Sequence, residues 1–170
     1  TTVAKSKLAR TPEEVPSMLN QIQKNVSSLY SGAQDIIWSL QPQSDFLDEL
    51  IFRIRKNMED MLQDSAVQFR YQHDGDPVLH IKLPFDYSRN LIMIFKEAVN
   101  NLVKHSGARQ VRLTTQRTGK EFIFFLEDDG TGFDPEAVRE GNGLKNIRNR
   151  ADRIKADLLI ERKEPSGMRF

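Results

Sequence analysis

Between Val15 and Leu40 the apolar residues fall at Val15, Leu19, Ile22, Val26, Leu29, Ala33, Ile36 and Leu40, in steps of four and three without a break. Only an α-helix brings such positions onto one stripe. A seven-residue repeat held over several turns marks a helix packed in a bundle or coiled coil. Met18, Tyr30 and Ile37 widen the stripe beyond a two-helix seam, which suits a four-helix bundle. Pro12 and Pro16 sit near its start and Pro42 closes it. No later segment carries a matching heptad. The stripe is therefore expected to pair with a helix of another chain, or of sequence upstream of Thr1.

After Pro42 the periodicity changes character. Ser44 can cap a second helix, with Leu47, Leu50, Ile51, Ile54, Met58, Met61 and Leu62 on one face. Val67, Phe69 and Tyr71 then alternate as a strand, and Asp74-Gly75-Asp76-Pro77 turns the chain into a second short run, Val78 to Leu83. A third helix is expected over 88–105. Val111, Leu113 and Thr115 alternate, Thr118-Gly119 turns, and Phe122 to Leu126 returns as an apolar strand. A fourth helix buries Leu144, Ile147, Ala151 and Ile154, followed by strands at 157–162 and from Met168 onward. Helices set between mostly antiparallel strands give an α+β class, a two-layer sandwich rather than a doubly wound parallel sheet. The domain boundary falls at Pro42, with the bundle helix in 1–42 and the sandwich in 43–170.

Composition narrows the chemistry. A net charge of +1 offers no electrostatic footprint for nucleic acid. The absence of cysteine excludes thiolate chemistry and Cys-based zinc sites. No apolar run is long enough to cross a bilayer, and the first residues lack a signal-peptide core.

Three stretches carry polar chemistry. In Glu97-Ala98-Val99-Asn100-Asn101-Leu102-Val103-Lys104-His105, the residues Leu91, Phe95, Ala98, Val99 and Leu102 share the core side of the helix. Glu97, Asn101 and Lys104 line up a turn apart on the other side, with His105 at their edge. Such a stripe can be a solvated face. Met93 and Ile94 beside it, and asparagines that compete with the helical backbone, point instead to a site. An amide oxygen beside a carboxylate suits a hard cation that keeps room for phosphates. The second stretch, Asp128-Asp129-Gly130-Thr131-Gly132-Phe133, leaves an apolar strand as a glycine loop that allows close backbone approach to a ligand. In the third, Gly141-Asn142-Gly143 opens the helix at Leu144, where free N–H groups favour phosphate. None of these matches a Walker loop, a dinucleotide fingerprint or an EF-hand.

In this order, E-A-x-x-N-x-x-K-H, D-D-G-x-G-F and G-x-G-L-x-x-I-x-x-R-A resemble the nucleotide boxes of the GHKL ATPase superfamily. The chain looks most like the catalytic domain of sensor histidine kinases of the short-lid branch. The resemblance covers Ser44 to Phe170, and the heptad helix resembles the second helix of their dimerisation bundle. It implies a Bergerat ATP-binding fold and binding of ATP with Mg2+. It also implies a role for each matched residue. Asn101 would be the magnesium ligand and Glu97 the catalytic acidic residue. Lys104 and His105 would face the phosphates, and Asp128 would accept a hydrogen bond from the adenine amino group. Gly130 and Gly132 would lie against the nucleotide, with Gly141, Gly143 and Leu144 at the second glycine box. Arg150 matches too, although an ion-pair role explains it as well. Ser166-Gly167 looks like a remnant of the last glycine box, with Met168 where a threonine is more usual.

The same resemblance implies transfer of the ATP γ-phosphoryl group to a histidine, then to a response-regulator receiver domain. It implies a homodimer through the bundle helix, no direct nucleic-acid partner, and a cytoplasmic domain of an inner-membrane-associated sensor. The histidines present are His73, His80 and His105. None lies on the heptad helix, so the phosphoacceptor is expected outside these residues. A non-catalytic ATP-regulated module and another activity of the superfamily, such as an anti-sigma serine kinase, are the competing readings.

Overall fold

The computed structural model describes Ile22, Asn25, Val26, Leu29, Ala33 and the residues 46–78, 80–134 and 142–170. The chain divides into two compact units, Thr1–Gln43 and Ser44–Phe170. In the first, the five described residues are helical and exposed. Ile22, Val26 and Leu29, three members of the heptad stripe, expose 52%, 58% and 73% of their surface. Ala33 is also a stripe position; Val15, Leu19, Ile36 and Leu40, with Ser44, Pro12, Pro16 and Pro42, lie outside the described residues.

The second unit begins with α1, Leu47–Leu62. Leu47, Leu50, Ile51, Ile54, Met58 and Leu62 are buried, each adding about 1.5–3 kcal/mol of apolar transfer. Met61, expected on the same face, is exposed. Phe46 stands at the helix N-cap without a side-chain bond, and Leu47 N–H donates instead to the Ile81 carbonyl at 2.8 Å. The cap comes from a segment remote in sequence, which local pattern cannot reveal.

The strands β1 (Gln68–Gly75), β2 (Gln110–Thr118), β3 (Glu121–Asp128), β4 (Glu161–Arg162) and β5 (Met168–Arg169) form one sheet in the order β1-β2-β3-β5-β4. β1 and β2 are parallel because the helix α2, Phe85–His105, connects them as a crossover. The other pairings are antiparallel, so the sheet is mixed. The pleat puts Tyr71, Leu113, Leu126, Thr115, Phe124 and Asp128 on one face. Helices cover that face. The Phe95 ring of α2 meets Phe124 at 5.2 Å, and the Arg55 guanidinium of α1 lies 4.3 Å over Tyr71. Buried Thr115 joins the Tyr71 hydroxyl at 3.0 Å and His73 Nδ1 at 2.9 Å, which gives His73 a structural place. The last helix, α3 (Asn142–Arg153), packs beside α2 and buries Ile147, Ala151 and Arg150. This is a two-layer α+β sandwich.

Two expected strands shorten. Among its described residues the run 78–83 yields the single bridge Lys82–Phe46. It lies between Pro77 and Pro84 and bends at His80, whose φ of 60° breaks extended pairing. Of 157–162 only Glu161 and Arg162 pair, because their partner β5 is two residues long. The third helix begins at Phe85 rather than Ser88, directly after Pro84. Among the described residues no helix is long and apolar enough to cross a membrane.

Candidate functional site

The alternation that half-buries Phe124 and buries Leu126 carries Asp128 onto the same inward face at the end of β3. A carboxylate thus enters a position where an apolar side chain would be ordinary, and it is 7% exposed. Its Oδ1 accepts the Gly130 N–H at 2.8 Å, and the Met168 backbone N–H also points to it. Burial pushes the Asp128 carboxyl up from its usual range and the Asp129 charge adds to this, while those N–H groups and Lys163 oppose it.

The loop after Asp128 is tied on several sides. Thr131 N–H donates to the Ser106 carbonyl at 2.9 Å, just past the end of α2. Ser106 Oγ in turn donates to the Leu102 carbonyl at 2.8 Å and accepts the Ala108 N–H at 3.0 Å. Gly130 is required by closeness, since a Cβ there would stand 2.5 Å from the Ser106 carbonyl oxygen. Gly167, with φ of 101°, has no room either: its Cβ would meet the Asp128 carbonyl oxygen at 2.0 Å. β5 lies against β3 through the paired Leu126 and Phe170 backbones, at 2.9 and 3.0 Å. Phe133 N–H donates to Met168 Sδ at 3.2 Å.

These elements enclose a cleft of about 380 Å³, within the range of small-molecule sites. Ala98, Leu102, Phe133, Leu144, Met168 and Phe170 make it largely apolar, and Asn101, His105, Ser106 and Asp128 supply polar groups. Gly132 and Gly143 complete its wall. Of the residues singled out in the sequence, the fold thus gathers Asn101, His105, Asp128, Gly132, Gly143 and Leu144 around one space. Gly130 stands immediately behind it, bonded to Asp128. Glu97 does not line the cleft but reaches its border, because a Cβ on Gly143 would lie 2.5 Å from Glu97 Oε1 and 3.1 Å from Asn101 Oδ1. Lys104 is exposed at the end of α2 and is not part of the lining. Gly141 lies outside the described residues.

The sequence profile of the family described as histidine kinase-, DNA gyrase B-, and HSP90-like ATPase matches residues 86–170. The chain belongs to this ATPase family. It is 29% identical over 161 residues to the sensor histidine kinase DesK of Bacillus subtilis, covering 94% of this chain and 41% of DesK. The chain thus spans less than half the length of that relative. Among solved structures, the histidine kinase AdeS of Acinetobacter baumannii superposes with a TM-score of 0.61 at 16% identity, over 99% of this chain and 86% of that one. The histidine kinase ThkA, solved in complex with the response regulator protein TrrA, gives a TM-score of 0.60 at 15% identity, over 96% and 52%. Their fold is the fold described above, and ATP is the ligand that membership of an ATPase family implies.

Within this ATPase domain, sequence reasoning missed Ser106, Phe133 and Phe170 as cleft residues. Met168 and Phe170 reach the cleft only through long-range pairing of β5 with β3. The residues also suit a magnesium ion. Among the described residues no group of three or more His, Asp or Glu could cage a metal. Glu97 and Asn101, converging beside Gly143, instead offer one carboxylate and one amide oxygen. That oxygen-only, incomplete donor set fits a hard cation whose remaining ligands are phosphates and water.

Proposed function

We propose that this chain is the ATP-binding catalytic part of a two-component sensor histidine kinase. The observation that carries the reading is the gathering of three separated sequence motifs around one cleft of about 380 Å³, with a buried carboxylate at one place and a glycine helix start at another. In this reading the ionised Asp128 accepts a hydrogen bond from the exocyclic amino group of adenine, and Ala98, Leu102 and Met168 hold the base between apolar walls. The free N–H groups at the start of α3, near Gly143 and Leu144, receive phosphate oxygens, helped by the positive end of the helix dipole. His105 and Lys104, at the C-terminal end of α2, supply donors and positive charge toward the phosphates. Asn101 Oδ1 would hold Mg2+, which when bound would neutralise phosphoryl charge. Glu97 Oε1 accepts or orients a proton on the attacking group.

The reaction fits this division of labour, because phosphoryl transfer is mostly positioning and charge neutralisation. A histidine nitrogen from outside these residues attacks the γ-phosphorus as its bond to the β–γ bridging oxygen breaks and ADP leaves. The phosphoryl group then passes to a receiver-domain aspartate, a partner suggested by the response regulator in the ThkA complex. The exposed stripe at Ile22, Val26 and Leu29 supports homodimerisation through a bundle. The same reading makes the chain the cytoplasmic part of an inner-membrane-associated sensor.

The test is a calorimetric titration of the 170-residue chain with ADP, with and without magnesium. Wild type is expected to bind, more tightly with the metal, and Asn101→Ala to lose the magnesium-dependent gain. Magnesium dependence that survives Asn101→Ala would remove the role given to that side chain.

A further inference from the structure

The residue between Asp128 and Gly130 points the other way. Asp129 Oδ1 accepts two backbone bonds, from Arg109 N–H and Gln110 N–H, both at 2.8 Å. Its own N–H donates to the Gln110 carbonyl at 3.3 Å. Three hydrogen bonds therefore bind this single residue to the first turn of chain after α2. That segment is itself fixed, since the Arg109 carbonyl accepts the Gln68 N–H of β1 at 2.8 Å. The Gln110 N–H first, then the Arg109 N–H and the Arg109 charge, hold the Asp129 carboxyl below its ordinary range against the opposing effect of burial. Asp129 is exposed, so it makes no core contact that would explain this arrangement by packing.

We propose that Asp129 is a positioning residue of the cleft: its carboxylate straps the loop to the backbone of Arg109 and Gln110, and so sets the Asp128 carboxylate at the height where it meets a ligand's amino group. This rests on reading the cleft as an adenine-nucleotide site. The geometry makes the strap specific. Residues 128 and 129 lie on opposite sides of the chain, one facing the cleft and one facing the start of β2. Thr131 fastens the loop to Ser106 on the far side of Gly130, so Asp129 and Thr131 bracket the turn that presents Asp128. Both fastenings end on the Ser106–Gln110 connection that leaves α2, which ties the loop to the helix lining the same cleft.

A second consequence is electrostatic. The charged or titratable groups around Asp128 are Asp129 on its own loop, Lys163 before β5 and His105 at the end of α2, while the Arg109 charge acts on Asp129. Asp129 is the negative one among them, so it opposes ionisation of Asp128. An amide at the same place would keep an oxygen for both N–H groups and remove that opposition.

The experiment measures ADP affinity, with magnesium, for the 170-residue chain and two variants from about pH 4 to 8, a range that brackets carboxylate titration. Asp129→Ala should weaken binding roughly tenfold at neutral pH, as loss of a charge-assisted anchor would. Asp129→Asn should bind like wild type at neutral pH and keep its affinity to lower pH. His105 is unchanged across the series, so the difference between curves belongs to the Asp128–Asp129 pair. If Asp129→Ala does not fold, the acid limb of Asp129→Asn decides alone. Equal affinity of Asp129→Ala and wild type would overturn the inference, as would an acid limb that stays in place in Asp129→Asn. A wild-type chain that binds no ADP would overturn the nucleotide reading itself and this inference with it.

Discussion

Around Asp128 the cleft is positioned by backbone, whereas around Glu97 and Asn101 it is positioned by a helix face. The loop at Asp128 depends on the Gly130 N–H, the Ser106 carbonyl, the Arg109 and Gln110 N–H groups and the close passage of Gly167. Glu97 and Asn101 instead stand four residues apart on α2 and are placed by the regular turn of the helix. The approach of Gly143 at the head of α3 confines them. The first arrangement is rigid and suits recognition of a flat base by one oriented acceptor. The second leaves side chains able to adjust, as the proposed cation and phosphate site would require.

Glycine substitutions should separate the two. Gly167→Ala places a Cβ 2.0 Å from a backbone oxygen, in a φ region that a side chain rarely adopts, so nothing flexible can yield. A loss of about 2–4 kcal/mol in a denaturation experiment, with loss of nucleotide binding, is expected from strain of that kind. Gly143→Ala meets only the far ends of Glu97 and Asn101. Its melting temperature should change little, while its magnesium-dependent gain in ADP affinity should fall roughly tenfold, about one such increment of 1.4 kcal/mol. Equal thermal losses in both variants would erase the distinction between a backbone-built and a side-chain-built end.

Acid should affect the ends in opposite senses for folding and for binding. The raised Asp128 carboxyl holds its proton more tightly in the folded chain, so its contribution to stability is best at low pH and declines as pH rises through the folded value. Binding runs the other way, because the protonated group loses its acceptor role. ADP affinity should therefore begin to fall, on acidification, above the ordinary aspartate range. Glu127 behaves conversely. Burial alone would raise it, but hydrogen bonds from Arg169 and Lys163 outweigh this and lower it. Its stabilising effect is present above the ordinary glutamate value and is lost as pH falls through the lowered one. A melting series against pH, run with and without ADP, checks both signs.

This contrast also explains what the residues disclosed unaided. The 3.6-residue period exposed α1 and α2, alternation exposed β2 and a short apolar run exposed β3, because those patterns are local. Asn101, Asp128 and Gly143 were legible because their spacing alone sets them on a helix face, a strand end and a helix start. Ser106 and Phe170 were not, since each joins the cleft through bonds to chain more than twenty residues away, Thr131 and Leu126 respectively. The cap of α1 by Ile81 was hidden for the same reason. Lys104 falls in the stripe as its spacing indicates, and the last turn of α2 leaves it exposed beside the lining rather than within it.

The most direct test of the central claim is base discrimination by Asp128. ADP and inosine diphosphate differ where adenine carries an amino donor and hypoxanthine a carbonyl oxygen. Wild type should prefer ADP by roughly a hundredfold, since a buried acceptor left facing an acceptor loses its bond and repels. Asp128→Ala should bind both nucleotides weakly and nearly equally. Equal affinity of wild type for the two nucleotides, or a preference retained in Asp128→Ala, would contradict the account.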